Sequence, residues 1–288
     1  RRSAAASHFL FDSVRGPGKY LSSHSINAEG NDPINTLMSF DSDGFTSGNT
    51  NGMNQSTHDY VAWCWKAGGP AITNNDGTIT SQVSANQDAG FSIVSTNGSG
   101  TAGHGLNATP QFMIQKRTAS TSDWSIQHHE MMTTSTGKLL FTDAAVVASS
   151  TPYMFNANAT TFEPIYTNQC ISYCWTEIEG YSKFGSYIGN GNADGPFVYC
   201  GFKPALLIRK SATSTGGWYI VDSSRDPLNP NNTFLDAKDS DPDGTGTAAD
   251  FLSNGFKIRN ADVGTNKNGE TFIFAAFAES PFQTANAK

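Results

Sequence analysis

The sequence predicts an all-β protein built from tandem small antiparallel β-sandwich domains of the jelly-roll type. One pattern of about 100 residues occurs twice in full and a third time without its front half. Charged residues make up only 15% of the chain, below the usual ~25%, while glycine (28) and phenylalanine (19) are abundant. This composition is typical of short strands joined by turns rather than of amphipathic helices.

The repeat is visible as constant spacings between landmark residues. The first copy matches the third through Asp12 to Arg15 and Asp222 to Arg225, and the three copies end in related segments at Cys64-Trp65, Cys174-Trp175 and Ala276-Phe277. The two complete copies share four landmarks at one spacing of 94 positions: Pro110, Ile114, Lys116 and Trp124 match Pro204, Ile208, Lys210 and Trp218. We therefore divide the chain into domains at 1–86, 87–181 and 182–288.

The first domain is predicted to be a truncated sandwich. It has no counterpart of residues 186–210, which in the third copy supply a glycine-rich turn and the apolar strand Ala205 to Ile208. Such a gap would leave backbone groups and apolar side chains uncovered. We expect it to be filled either by an upstream part of the same polypeptide or by strands from a neighbouring subunit, and head-to-tail donation of this kind builds a filament.

The segment that ends each copy alternates in a way that predicts a central strand. Val61, Trp63 and Trp65 point to one face, and the intervening residues point to the other. Both faces are apolar or small in all three copies, so we expect each strand to be covered on both sides. The third copy is predicted to have strands near 196–202, 204–210, 217–222, 233–236, 255–259 and 270–278.

Charge and hydropathy exclude two classes of partner. The formal net charge is -7, and no basic cluster is present to bind phosphates, so no nucleic-acid partner is predicted. No apolar stretch reaches the length of a membrane span, and the start of the chain lacks a signal-peptide pattern, so no membrane insertion is predicted.

An acidic loop is the sharpest chemical motif. Asp239, Asp241, Asp243 and Asp250 stand at loop positions 1, 3, 5 and 12, with Gly244 at position 6. This spacing suits a structural Ca²⁺ ion, because alternate carboxylates converge on a hard cation and glycine permits the sharp turn. The alternative is a solvated acidic turn, since Asp and Gly are ordinary turn formers and no flanking helices are evident.

Catalytic motifs are weak, and we predict that the protein is not an enzyme. Glu177 and Glu179 resemble a glycosidase carboxylate pair, but this pair is not kept across the copies and suits a strand end. His128 and His129 are adjacent on the chain, so they would point to opposite faces of a strand, and we expect them at the surface or in a turn. No catalytic residue is assigned.

The cysteines are predicted to serve packing. Cys64 and Cys174 occupy one position of the repeat, whose third occupant is Ala276, so a small buried side chain is expected there. A bridge between Cys170 and Cys200 stays open as an alternative.

Two long motifs carry a resemblance. The segment from Glu177 to Gly191, EIEGYSKFGSYIGNG, and the segment from Gly195 to Pro204, GPFVYCGFKP, resemble a repeat domain of unknown function in aquatic bacteriophage tail-fibre and virion appendage proteins. The ending from Ala275 to Lys288 is similar to the C-terminus of that family. In the family, such repeats often follow a laminin-G-like lectin domain. The resemblance implies a place on the virion surface and no catalytic or ligand residues, and the acidic loop departs from the family pattern.

Together these observations predict a non-enzymatic structural and adhesive protein of an extracellular fibre, most readily a phage tail fibre or virion appendage. The expected partners are further copies of the chain, in a trimeric fibre or a head-to-tail filament, and cell-surface glycans. The alternative is a self-assembling extracellular filament subunit whose first domain is completed by donor strands from a neighbour. A carbohydrate-active enzyme is the third and weakest hypothesis, because it depends on fold analogy alone.

Overall fold

The computed structural model describes residues 2–131 and 136–279 and confirms the all-β prediction. The first repeat forms two small antiparallel sheets, one of β1, β2 and β3 in that order and one of β4 and β5. Its strands are short: β1 (Phe9–Leu10), β2 (Lys19–Ser22), β3 (Gly30–Asn31), β4 (Leu37–Phe40) and β5 (Phe45–Ser47).

The second repeat is built on a six-stranded antiparallel sheet with the order β11-β10-β15-β8-β7-β6. Two further pairs, β12 with β13 and β9 with β14, complete it, together with a 3₁₀ helix at Tyr153–Asn156. The strands are β6 (Ile72–Asn74), β7 (Ser81–Asn86), β8 (Phe91–Thr96), β9 (Ala102–Gly103), β10 (Phe112–Arg117), β11 (Ser125–His128), β12 (Thr136–Lys138), β13 (Val147–Pro152), β14 (Thr161–Phe162) and β15 (Cys170–Trp175).

The third repeat forms an eight-stranded antiparallel sheet with the order β16-β23-β18-β19-β20-β21-β22-β17. The six strands predicted for this repeat are present, and β16 and β21 are additional. The elements are β16 (Ser182–Ile188), β17 (Phe197–Tyr199), β18 (Pro204–Ser211), β19 (Tyr219–Asp222), β20 (Asn231–Asp236), β21 (Gly244–Leu252), β22 (Gly255–Ile258), the short helix α1 (Val263–Asn266) and β23 (Thr271–Ala278).

The end segments are central strands in two copies and not in the first. β15 pairs with β8 and β10, and β23 pairs with β16 and β18, so both are buried and paired on both sides as predicted. The equivalent residues 60–66 form no strand, and the prediction is wrong there. The physical reason is that no described strand lies beside this segment to complete a hydrogen-bonded ladder.

One apolar cluster joins all three repeats. It contains Leu21 from the first repeat, Phe112 from the second and Phe277 from the third, and Trp63 and Trp65 pack against it. The opposite face of each larger sheet has a core of its own, one around Val94, Phe162 and Cys174 and one around Phe256, Phe272 and Ala276. The second and third repeats are therefore sandwiches, each with one face turned to the shared cluster.

The division of the chain into three domains stays a prediction. The strand pairing does, however, associate residues 72–86 with the second repeat, because β7 pairs with β8 along its whole length. The predicted boundary at residue 86 thus falls within one sheet. Among the described residues, no helix is long and apolar enough to cross a bilayer.

The three repeats close into a ring, because each contacts the other two through equivalent positions. Three backbone hydrogen bonds define the junctions, and each has an N···O distance of 2.9 Å. The donors match one another in the repeat, and so do the acceptors: Ser122 N–H donates to Ile26 O, Gly216 N–H to Asp143 O, and Ala6 N–H to Ser240 O.

Candidate functional site

A buried ion pair forms the corner of the first repeat. The Asp12 carboxylate accepts hydrogen bonds from the backbone N–H groups of Val14 and Arg15 and from the Arg15 Nε, at 2.5 Å. Arg15 also donates to Leu10 O and pairs with Glu29. The Asp12 and Arg15 side chains are only 2% and 5% exposed. This corner holds β1 against the turn that follows it.

The third repeat contains the same corner, atom for atom. Asp222 accepts from the backbone of Ser224 and Arg225 and from the Arg225 Nε at 2.6 Å. Arg225 donates to Ile220 O and pairs with Asp243, as Arg15 does with Leu10 and Glu29. The match predicted between the first and third copies is therefore also a match in bonding.

The corresponding corner of the second repeat contains no ion pair. His128 occupies the aspartate position, and its Nδ1 accepts from the Glu130 N–H at 3.1 Å, the bond that aspartate makes elsewhere. Met131 replaces the arginine and is buried in the shared cluster. His128 is 1% exposed, and burial lowers its pKa to about 3. The expectation of a surface or turn position is thus wrong for His128, although His129 does lie in a turn.

Each corner is also a joint with the next repeat in the ring. The Tyr173 hydroxyl donates to Asp12 at 2.8 Å, and the Trp63 Nε1 donates to Asp222 at 3.1 Å. Ala275 is the third equivalent and has no polar group, so His128 Nε2 donates to the neighbouring Phe274 O at 3.0 Å. Each end segment therefore bonds to the corner of the preceding repeat, and the first repeat bonds to the third.

Two buried lysines reinforce two of the junctions. Lys116 Nζ donates to Ile26 O and Ser122 O, and Lys210 Nζ donates to Asp143 O and Gly216 O. Burial lowers the pKa of both lysines to about 8. These matched lysines, which the spacing of 94 first indicated, hold the loop of one repeat against the strand of the next.

Tryptophans add a second bond at the same two junctions. Trp124 Nε1 donates to Ser22 O, and Trp218 Nε1 donates to Leu140 O. The third equivalent is His8, whose Nε2 is buried and has no hydrogen-bond partner among the described residues. Burial lowers the pKa of His8 to about 4.

The structure does not bring the four carboxylates of the acidic loop together. Asp243 pairs with Arg2 and Arg225, each at 2.9 Å, and Asp250 lies on β21, where it pairs with Arg259. Within residues 2–131 and 136–279, no group of three or more His, Cys, Asp or Glu side chains is arranged to hold a metal ion. Arginines thus pair with two of the four carboxylates that would ligate the ion, Asp243 and Asp250. Ca²⁺ binding stays a prediction from the loop spacing, and this arrangement does not favour it.

All four cysteines are free thiols, so the alternative of a bridge between Cys170 and Cys200 is not formed. Cys174 is completely buried as predicted, and burial raises its pKa. Cys64 is exposed, and the prediction of a buried position is wrong for it. Among the described residues, the apolar clusters on the far faces of the two larger sheets contain no residue before Ile79, so neither of them covers Cys64.

Glu177 and His129, two side chains considered as chemical sites, both contact residues of β16. Glu177 forms an ion pair with Lys183 at 2.7 Å. His129 Nε2 donates to Phe184 O at 2.9 Å. Both side chains are thus used in contacts at the start of β16.

An aromatic pair on β17 is a surface feature that the sequence analysis did not identify. Phe197 is 46% exposed and Tyr199 is 65% exposed, while Val198 between them faces the core. On the neighbouring strand β22, Lys257 stands opposite Phe197 and pairs with Asp194 at 2.9 Å, and Gly255 stands opposite Tyr199. Strand alternation in 197–199 was the available signal, and it indicates that two aromatic rings share one outward face.

The chain belongs to a family described as Domain of unknown function (DUF7483), whose model matches residues 1–281. No curated protein and no solved structure matches the chain. The ring of repeats and the aromatic strand are physical features of this chain that bear on its function.

Proposed function

We propose that the protein is a non-enzymatic structural and adhesive component of an extracellular fibre, such as a phage tail fibre or virion appendage, that binds cell-surface glycans. The location is supported by the resemblance of residues 177–191 and 195–204 to phage repeat domains. The structural role is supported by the use of buried charged groups at the junctions. Asp12, Asp222 and the two lysines hold repeats together, which favours a rigid module.

The observation that carries the adhesive role is the outward aromatic pair on β17. Phe197 and Tyr199 lie on the edge strand of an eight-stranded sheet, about 7 Å apart along the strand. Aromatic rings offer large, rigid contact area at low entropic cost, and tyrosine adds a hydroxyl that can donate and accept. Lys257 and Asp194 provide charged groups at the rim. This combination suits the mixed apolar and hydroxyl surface of a sugar.

A glycan array with the purified chain tests the proposal. We expect binding to a limited set of polysaccharides and a loss of affinity of about 5- to 150-fold in the Tyr199→Ala and Phe197→Ala variants, because a desolvated aromatic contact is worth about 1–3 kcal/mol. Ile188→Ala is the matched control, since Ile188 is also 65% exposed but lies on β16 at the other end of the sheet. Equal losses in the control, or an array without binding, would contradict the adhesive role.

The location is tested separately by gold-labelled antibodies against the chain on intact virions. Labelling of an appendage is the expected result. Labelling that appears only in disrupted particles or host cytoplasm would contradict an outer-surface position, whatever the glycan array shows.

A further inference from the structure

Three neighbouring strands of the third repeat present one outward face. Val198, Phe256 and Phe251 stand side by side on β17, β22 and β21 and point into the core. Because side chains alternate along a strand, the residues beside them point outward. We call this surface the β17 face, and its side chains are Phe197 and Tyr199 on β17, Lys257 on β22, Arg259 directly after β22, and Asp250 and Leu252 on β21. Two aromatic rings thus share a face with two cations.

The two cations are held in place by groups of the fold. Lys257 Nζ donates to Gly195 O at 2.8 Å, and Arg259 Nε donates to the Asp250 carboxylate at 2.5 Å. Both cations still reach solvent, since the Lys257 side chain is 22% exposed and the Arg259 side chain is 40% exposed. A cation with a fixed position and an open side is pre-organised to bind an anionic ligand.

A surface carboxylate from the loop before β17 bridges these cations. Asp194 lies 2.9 Å from Lys257 Nζ and 3.4 Å from Arg259 Nη1, and its side chain is 77% exposed. The hydrogen bond and the charge of Lys257 lower the pKa of Asp194, so this position favours a carboxylate anion. Exposed ion pairs contribute little to stability, and another carboxylate can therefore replace Asp194 at small cost.

The charges of the face favour an acidic ligand once Asp194 has moved aside. Two cations, Lys257 and Arg259, and one carboxylate, Asp250, then leave a net charge of +1. The whole chain carries a formal net charge of -7, so its surface as a whole repels an acidic polymer. Phe197 stands directly opposite Lys257 on the neighbouring strand, which places an aromatic ring beside the cations.

We propose that the β17 face binds an acidic glycan built from uronic acids, whose carboxylate takes the place of Asp194 on Lys257 and Arg259 while its sugar ring packs on Phe197. This inference rests on the proposed function and deepens it, because it names the class of glycan that the same face selects. A neutral glycan would leave both cations paired with Asp194 and would bind through the aromatic rings alone. The ligand is thus defined by a carboxylate attached to a sugar ring.

Carboxyl reduction tests the class of glycan without changing the protein. The probes are polygalacturonate and alginate, each compared with the same polymer after its carboxyl groups have been reduced to primary alcohols. We expect the purified chain to bind an acidic polymer and to lose about tenfold in affinity on reduction, because charge-assisted hydrogen bonds are roughly twice as strong as neutral ones. Poly-L-glutamate carries carboxylates without sugar rings and should bind about tenfold more weakly than the acidic polymer.

The Asp194→Asn variant is the sharper test, because a gain is expected. Removing the competing carboxylate should raise the affinity for the acidic polymer about threefold and leave the affinity for the reduced polymer unchanged. Asp88→Asn is the matched control, since Asp88 is also exposed and its loss changes the net charge equally in a turn of the second repeat. Lys257→Gln should lose about tenfold in affinity for the acidic polymer only. Far-UV circular dichroism checks that each variant keeps the fold.

The outcomes separate this inference from the proposed function. Binding to neutral glycans only, equal affinity for the acidic and reduced polymers, or equal affinity for poly-L-glutamate would overturn the inference and leave the adhesive role standing. Weaker binding by Asp194→Asn, or equal gains in Asp194→Asn and Asp88→Asn, would also overturn it, because Asp194 would then be a direct sugar contact or one surface charge among others. Absence of binding to every glycan would contradict the proposed function itself and this inference with it.

Discussion

The corners of the second and third repeats occupy equivalent positions in the ring and make equivalent hydrogen bonds, but their side chains differ in charge. Asp222 and Arg225 form a buried ion pair, whereas His128 and Met131 form a neutral corner. Both corners accept the backbone N–H two residues further along, and both bond to the end segment of the next repeat. The comparison indicates that the fold requires an acceptor and an inter-repeat bond at this position, and that charge is optional.

The largest effect is expected from breaking the ionic corner. Asp222→Ala leaves the Arg225 guanidinium buried without its closest carboxylate and leaves Trp63 Nε1 unpaired, so we expect a loss of about 3–5 kcal/mol in the free energy of unfolding. Urea denaturation measures it. Glu279→Gln is the control, because its pair with Lys203 is exposed and should cost less than about 1 kcal/mol. Similar losses in both variants would mean that the corner has no special role.

The neutral corner should make the stability of the protein depend on pH. Burial lowers the pKa of His128 to about 3 from an unfolded value of 6.5, so the unfolded chain binds more protons between these values. The stability that neutral His128 contributes is complete above about pH 6.5 and is lost as the pH falls toward 3. We expect this residue alone to lower the free energy of unfolding by about 2 kcal/mol between pH 7 and pH 5.

His128→Gln isolates that contribution, because glutamine can donate to Phe274 O but does not titrate in this range. The variant should show a shallower decline in stability between pH 7 and pH 5 than the wild-type chain, even if it is less stable at pH 7. Parallel pH profiles for the two proteins would show that His128 is not buried in the neutral form.

A smaller effect is expected when one corner is converted into the other. The double variant Asp222→His and Arg225→Met transfers the chemistry of the second repeat to the third, and removing both charges together avoids a buried unpaired ion. We expect a net change within about 1.5 kcal/mol of wild type, well below the loss in Asp222→Ala. A double variant as unstable as the single one would show that the third junction specifically requires the ion pair.

The smallest effect is expected from calcium. Since Asp243 and Asp250 are already paired with arginines, adding millimolar CaCl₂ should shift the melting temperature by less than about 1 °C. Differential scanning fluorimetry with EGTA as the reference measures the shift. A rise of several degrees that disappears in Asp241→Asn would restore the acidic loop as an ion site.

The faces of the end strands could be predicted from the sequence because alternation is a local property. Ile273 and Phe277 face the shared cluster and Phe272 faces the core of the third repeat, as their positions along the strand indicate. The loss of that strand in the first copy could not be predicted from alternation, because a strand also needs a neighbour to pair with.

Two further features could not be predicted from the sequence: the contact between the first and third repeats that closes the ring, and the ion pairs made by the acidic loop. Repeats in a tandem array ordinarily contact only their neighbours, so nothing local indicates that Ala6 meets Ser240. Likewise, the spacing of the acidic residues does not show that Asp243 pairs with Arg2, which is distant in the sequence. His128 was missed as a corner residue because it matches Asp12 and Asp222 in position and bonding but not in residue type.

The most direct test of the ring is a disulfide between its first and last repeats, made in a Cys64→Ser background. Ala6 and Ser240 share a backbone hydrogen bond, so Ala6→Cys with Ser240→Cys should form an intramolecular bridge that changes mobility on a non-reducing gel. Ser122→Cys with Ser240→Cys is the matched control, since Ser122 is the repeat equivalent of Ala6 but bonds Ile26 instead. A bridge in the first pair and none in the second is the predicted result. No bridge in the first pair, or bridges only between separate chains, would contradict a closed ring of three repeats.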